Sequence, residues 1–341
     1  MQRTEIATLG EFGLIEHLTK DIQLTQRTSV KGIGDDAAVI DNTNKKTLVT
    51  TDILLEGIHF DLTYVPLKHL GYKAAVVNFS DIYAMNGTPQ QIVVSLGISK
   101  RFCVEDMEAL YEGLKLACKI YDVDLVGGDT SSSLTGLTIN ITCIGYAEEN
   151  QLVYRTGAQN TDLIFVSGDL GAAYMGLQLL EREKNVFDGQ ADFQPDFTGK
   201  EYLLERQLKP EARKDIVKLL AENHIKPTSM IDISDGLSSD MLHICKQSKV
   251  GCAIYEERIP IDYQTALMAE TFNMNVSTVA LNGGEDYELL FTVPLSLHEQ
   301  VSALQGIHLV GHITAEENGC YLITRDGQEM QLKAQGWNPL T

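Results

Sequence analysis

Leu137-Thr-Ile-Asn-Ile-Thr-Cys-Ile-Gly-Tyr146 alternates apolar residues with small or polar ones along its length. That is the period of a β-strand with one buried face. Upstream, Thr47–Leu54 and Gln91–Ile98 also read as strands, while Gly10–Lys20, Leu67–Met85 and Val104–Tyr121 carry the i, i+3, i+4 spacing of amphipathic helices. The first half is therefore mixed α and β. Downstream, the pattern breaks at Ala147-Glu-Glu-Asn150, and past Tyr154-Arg-Thr-Gly-Ala158 a new buried-strand run begins at Asp162-Leu-Ile-Phe-Val-Ser-Gly168.

This break predicts a domain boundary near residue 150, giving units 1–149 and 150–341; at roughly 150 residues per domain, 341 residues accommodate two. The second unit alternates as α/β units do. Helices are expected at Gly171–Arg182, Glu201–Asn223 and Ser238–Ser248, with strands near Cys252–Tyr255, Glu288–Val293 and Ile307–Ile313. Residues 183–200, with Asp, Gly, Gln and Pro, read as an exposed loop.

Composition excludes disorder and fibre: hydrophobic residues make up 44% and charged residues 22%, ordinary globular usage. Charge is more selective. With 27 Lys+Arg against 47 Asp+Glu the net charge is −20, which repels nucleic acid and anionic membrane surfaces. An anionic substrate would then need divalent cations to offset the carboxylates around it. Met1–Gly10 lacks the apolar run of a signal peptide and no 18-residue apolar stretch occurs, so a cytoplasmic location is expected. Cys103, Cys118, Cys143, Cys245, Cys252 and Cys320 include no C-x-x-C pair and read as reduced core thiols.

The chemistry concentrates in aspartates placed where hydrophobic runs give way to glycine or small residues. They lie in Gly32-Ile-Gly-Asp-Asp36, Thr50-Thr-Asp52, Asn78-Phe-Ser-Asp81, Gly127-Gly-Asp-Thr130 and Asp232-Ile-Ser-Asp-Gly236. One aspartate beside glycine is commonly a turn or a helix cap, but five clusters without basic companions need a further reason. Their donors are all hard oxygen, including the hydroxyls of Thr50, Thr51, Thr130 and Ser234, which suits Mg²⁺ or Mn²⁺ rather than zinc. Asn282-Gly-Gly-Glu-Asp-Tyr-Glu288 is a sixth acidic glycine segment, readable also as a plain turn into a strand.

Gly127-Gly128 could cradle a phosphate with backbone N–H groups, although neither a P-loop nor a G-x-G-x-x-G fingerprint is present. Lys73 and Arg155 stand out because cations are few. Arg155 suits a phosphoryl group, though on sequence alone the solvated surface residue is the favoured reading. His59, in Glu56-Gly-Ile-His-Phe60, either faces the same site or is structural, and Trp337, the single tryptophan, either covers a core edge or stacks on a ligand.

In order along the chain, Gly10-Glu-Phe-Gly-Leu-Ile15, Gly32-Ile-Gly-Asp-Asp-Ala37, Gly127-Gly-Asp-Thr130, Ser234-Asp-Gly-Leu237, Gly283-Gly-Glu-Asp-Tyr-Glu-Leu289 and Trp337 resemble the thiamine-monophosphate kinases. These belong to the ATP-binding superfamily that includes aminoimidazole ribonucleotide synthetase. The resemblance implies an N-terminal mixed α/β domain contributing strands to a barrel shared across a homodimer, followed by a C-terminal α/β domain. It implies ATP-dependent phosphorylation of thiamine monophosphate to thiamine diphosphate, by direct in-line transfer with several Mg²⁺ ions and no general base. The metal ligands it implies are Asp36, Thr50, Thr51, Asp52, Asp81, Asp129, Asp232 and Asp235. Tyr111, Gly128, Asp129, Arg155 and Ser234 match positions at ATP, and His59, Glu285 and Trp337 match positions at thiamine monophosphate. Another ATP-using enzyme of the superfamily, a phosphohydrolase and an idle nucleotide-binding dimer are the competing readings.

Overall fold

The computed structural model describes residues 29–31, 35, 38–42, 45–187 and 197–335. The expected helix Gly10–Lys20, Asp36, Trp337 and half of the 183–200 loop, residues 188–196, lie outside the described residues.

The strand Thr138–Ala147 (β6) sits inside a sheet made by β1 (Ser29–Lys31), β2 (Ala38–Asn42), β3 (Lys45–Leu55), β4 (Thr88–Ile98) and β5 (Asp124–Ser132). The order is β1-β2-β3-β6-β4-β5, and every pairing is antiparallel except β4 with β5. This six-stranded sheet is not a closed barrel among the described residues. The second sheet comprises β7 (Leu163–Ser167), β8 (Ser229–Ile233), β9 (Gly251–Tyr255), β10 (Glu288–Val293), β11 (Ile307–Thr314), β12 (Cys320–Ile323) and β13 (Glu329–Gln331), in the order β13-β12-β9-β11-β7-β10-β8.

Helix α1 (Leu67–Ala84) packs on one face of the first sheet and carries α2 (Val104–Tyr121) on its other side. The spacing of α1 suggests a two-faced helix, but it is enclosed nearly all round: from Leu70 to Met85 only Asp81 is not fully buried. Its outer contact with α2 requires two glycines. A Cβ on Gly71 would lie 2.0 Å from the Leu110 carbonyl oxygen, and one on Gly113 would lie 1.8 Å from that of Lys68. Helix α1 also touches β8, so it joins the two sheets.

The second half adds α3 (Ala172–Phe187), α4 (Glu201–Leu208), α5 (Lys214–Glu222), α6 (Leu237–Ser248), α7 (Tyr263–Thr271), α8 (Val276–Asn282) and α9 (His298–Ser302). Three differences from expectation have local causes. The single helix expected over Glu201–Asn223 is two, because Pro210 lacks an N–H and disfavours helical geometry at Lys209. Helix α3 continues to Phe187, into the segment expected to be loop. Gly127 and Gly128 lie within strand β5 rather than in a turn; all nine residues of that edge strand are exposed, so no burial period marks it in the sequence.

Candidate functional site

Strand alternation decides what β3 can offer. The side chains of Thr50 and Asp52 point to the sheet face covered by α1, where Thr50 Oγ1 donates to Asp81 Oδ2 at 2.5 Å. Thr51 points to the opposite face, where its hydroxyl donates to the Ile141 carbonyl oxygen at 3.0 Å and its oxygen accepts from Asn140 Nδ2. The structure thus brings Thr50, Asp52 and Asp81 together and turns the Thr51 hydroxyl away from them. Burial pushes the Asp52 carboxyl up to about 6.

Asp232 ends β8 against the middle of α1, where its Oδ2 accepts from Ser80 Oγ at 2.6 Å. This bond ties one sheet's site residues to the other's. Two residues later the chain enters Ser234-Asp235-Gly236, and Gly236, at φ 104, opens α6. Asp240, in the first turn of α6, was not among the residues expected from sequence. It is 2% exposed, its Oδ2 accepts from the Asp235 N–H at 3.2 Å, and burial together with the neighbouring Asp235 and Asp232 raises its carboxyl well above the ordinary range. The backbone N–H of Arg155 donates to Asp35 Oδ1 at 3.2 Å, its Nε lies 4.0 Å from the same oxygen, and its charge reaches Asp240 and His243.

The loop Gly283–Tyr287 brings the last acid. Its backbone is strained, with Glu285 at φ 67 and Tyr287 at φ 52, both in the left-handed region that costs non-glycine residues free energy. The loop is held against the end of β8, since the Glu285 and Tyr287 N–H groups donate to the carbonyls of Ser234 and Ile233, each at 2.8 Å. Gly284 permits this approach, because a Cβ there would lie 2.5 Å from the Ser234 oxygen. Glu285 is gripped from two sides: Lys73 Nζ is 2.9 Å from Oε1, and Gln207 Nε2 donates to Oε2 at 2.8 Å. Lys73 also donates to the Gln207 carbonyl at 2.9 Å, closing a triangle. Asp286 and Glu288 turn the other way. Asp286 accepts from the Gly171 N–H at 2.7 Å, and Glu288 is clamped by Arg206 and Arg213.

One group reports the convergence. Tyr287 is buried, and after burial itself the influences raising its phenol are Glu285, Asp52, Asp232 and Asp81. Four carboxylates from four segments therefore lie within electrostatic reach of one side chain. His59 lies close enough to Glu285 and Lys73 to feel both, and burial lowers its pKa. The Leu55 N–H donates to His59 Nδ1 at 3.0 Å, so the neutral ring carries its proton on Nε2.

Other expected residues stand apart or at the edge. Gly128 and Asp129 are exposed on β5, where a Cβ at Gly128 would lie 2.1 Å from the Val94 carbonyl oxygen. Tyr111 lies on α2, in a depression of about 670 Å³ lined by residues of that helix. Lys73 was singled out in sequence as a scarce cation but without a task, and the task is Glu285.

Residues 34–147 match the family described as AIR synthase related protein, N-terminal domain. Thiamine-monophosphate kinase of Aquifex aeolicus is 36% identical over 331 residues, covering 96% of this chain and 97% of the relative. That of Bacillus subtilis is 33% identical over 337 residues, covering 97% and 99%. Among solved structures, AaThiL complexed with AMPPCP and TMP superposes with a TM-score of 0.84 at 35% identity, covering 99% of both chains. The hydrogenase maturation protein HypE, at 17% identity and a TM-score of 0.69, covering 92% of this chain and 98% of its own, shares the fold.

Proposed function

The chain belongs to the thiamine-monophosphate kinase family, and on that premise we propose how its residues move the γ-phosphoryl group of ATP onto thiamine monophosphate, yielding thiamine diphosphate and ADP. The observation that carries the reading is the gathering of Asp52, Asp81, Asp232 and Glu285 within electrostatic reach of Tyr287, in a fold whose relative is described with the ATP analogue AMPPCP and TMP.

The donor set fits Mg²⁺: clustered carboxylates, a threonine hydroxyl and mutual repulsion at Asp240 that a hard cation relieves. Asp52, Asp81, Asp232 and Asp235 with Thr50 would hold it, and Asp36 and Asp129 are assigned to the same ions by family resemblance; the Thr51 hydroxyl, on the opposite face of β3, is left out of the set. Bound there, Mg²⁺ supplies neutralisation of charge between two polyanions.

The chain's own residues do the rest. Arg155, anchored by Asp35, offers its guanidinium to the transferring group. Gly128, Asp129 and Ser234 are assigned to ATP, and Tyr111 joins them on the resemblance alone. His59 presents Nε2–H to the acceptor. Glu285, fixed by Lys73 and Gln207, faces the cationic ring of thiamine monophosphate. Trp337 is assigned to stacking on that ring by family resemblance alone. No general base is required, since a phosphate monoester with a second pKa of about 6 is already deprotonated at neutral pH.

We assign ATP, metal and dimer contacts mainly to residues 1–149, and completion of the site to 150–341. The homodimer rests on the uncovered sheet face, where Ile53 is 50% exposed, and on edge strand β5, where Val126 is 57% exposed. A second copy there would protect the edge and form the shared barrel. A cytoplasmic setting, where thiols stay reduced, accords with six unpaired cysteines; no described helix is long and apolar enough to cross a membrane. The test is ADP release with ATP and Mg²⁺ against no acceptor, thiamine and thiamine monophosphate, with the product weighed. Thiamine diphosphate is expected with the monophosphate alone, and acceptor-independent phosphate release would refute the assignment.

A further inference from the structure

Outside the phosphoryl site, the second sheet gathers three thiols that are distant in sequence. Cys252 on β9 and Cys320 on β12 are direct partners in a parallel pairing, so their side chains leave the sheet on one face. Cys245, in the last turn of α6, packs over that face. The three Sγ atoms all lie within 4.8 Å of one another, and none is in a disulfide. Cys245 and Cys252 are 4% and 1% exposed within the apolar core, while Cys320 is half-buried and gives the cluster an opening.

Cysteine is a common core residue, and one or two buried thiols need no further reason. Three converging sulfurs from a helix and two strands are different, because that arrangement is a preformed ligand set. Thiolates are soft donors that select Cu(I) or Zn²⁺ over the hard Mg²⁺ expected among the aspartates. Zn–S bonds are about 2.3 Å long, so three sulfurs around one ion stand roughly 4 Å apart, compatible with three Sγ atoms that all lie within 4.8 Å of one another. Among the described residues no His, Asp or Glu joins the three. The protein thus supplies three ligands, enough for Cu(I); Zn²⁺ would take a water as its fourth at the Cys320 opening.

We propose that Cys245, Cys252 and Cys320 form a binding site for one soft, thiophilic d¹⁰ cation, separate from the phosphoryl-transfer centre. Binding releases each coordinating thiol's proton to solvent and transfers no electron, since copper enters as Cu(I). The site lies on α6, the helix whose first turn holds Asp240, so the ion would brace the far end of an element that serves the catalytic cleft.

The test titrates the reduced full-length protein anaerobically with chelator-buffered Cu(I) or Zn²⁺ in excess Mg²⁺, counting bound metal, free thiols and ultraviolet sulfur-to-metal absorption. One equivalent is expected to bind and to withdraw three of the six thiols from a thiol reagent. The Cu(I) and Zn²⁺ arms identify the ion. Cys103→Ser and Cys118→Ser should leave this unchanged. Cys320→Ser, at the half-buried position least able to disturb the core, should weaken binding by at least ~100-fold, since outer-sphere partners alone are worth about 10–100-fold. Cys252→Ser repeats the test from inside, with circular dichroism confirming the fold. Six reactive thiols with and without metal, or undiminished binding in folded Cys320→Ser, would overturn the proposal. So would an air-formed disulfide in a protein that, once reduced, takes up no metal.

Discussion

Asp52 and Asp286 are both carboxyls that burial pushes upward, to about 6 and about 7, yet they serve different ends. Asp286 is bonded to the Gly171 N–H and faces Arg206, so it holds the loop, whereas Asp52 faces Asp81 and the cleft. Asp52→Asn should therefore lower kcat by at least about 10²–10³-fold, the scale of losing one charge-stabilising group, while the melting temperature near neutral pH rises, because the substitution removes a buried charge. Glu285→Gln should raise KM for thiamine monophosphate and leave KM for ATP in place. Steady-state kinetics with each substrate varied separately checks both. Asp52, Asp232 and Glu285 could be picked out in sequence because each lies where a hydrophobic run meets Thr, Ser or Gly within a few residues. Asp240 could not, since in Leu237-Ser-Ser-Asp240 it looks like an acid in the first turn of a helix. Only the fold reveals that it faces Asp232 and Asp235.

Helices α1 and α2 show how an element sets what a residue can do. Their backbones meet at Gly71 and Gly113, so Gly113→Ala should destabilise the protein by about 1–3 kcal/mol through overpacking, seen as a lower denaturation midpoint. The loop Gly283–Tyr287 makes the same point at the site. Gly284→Ala would push the loop off Ser234 and misplace Glu285, with a larger effect on turnover than on the melting temperature. The long elements α2, β4 and β6 were legible because each buries one face, and α1 because its long apolar run has the length of a helix, although the fold encloses it nearly all round. Helices α7 and α8 were not, being 9 and 7 residues long, although their caps Asp262 and Asn275 are visible signals. Strand β5 buries no face and left no period to read.

At the scale of the whole molecule, stability should depend on pH through His243. Burial, then Arg155, lowers this imidazole from 6.5 to about 4. Between those values the unfolded chain binds more protons, so the contribution is complete above pH 6.5 and is lost as pH falls toward 4, with a slope of at most about 1.4 kcal/mol per pH unit. Asp52 opposes it, since its raised pKa favours the protonated folded state as pH falls. The difference between wild type and His243→Gln in denaturant midpoints across pH 4–8 isolates the histidine. The dimer is tested by Val126→Lys, which should yield monomers in light scattering and lower turnover. The passage from the first sheet to the second falls at the pattern break near residue 150, but the joint through Ser80 and Asp232 could not be read, because it links residues 152 apart in sequence.

The mechanism rests on direct transfer between two phosphates, with no phosphorylated side chain between them. It is tested most directly by turnover of ATP made chiral at the γ-phosphorus with oxygen isotopes, followed by analysis of the thiamine diphosphate formed. A single in-line displacement predicts inversion at that phosphorus, and net retention would contradict it.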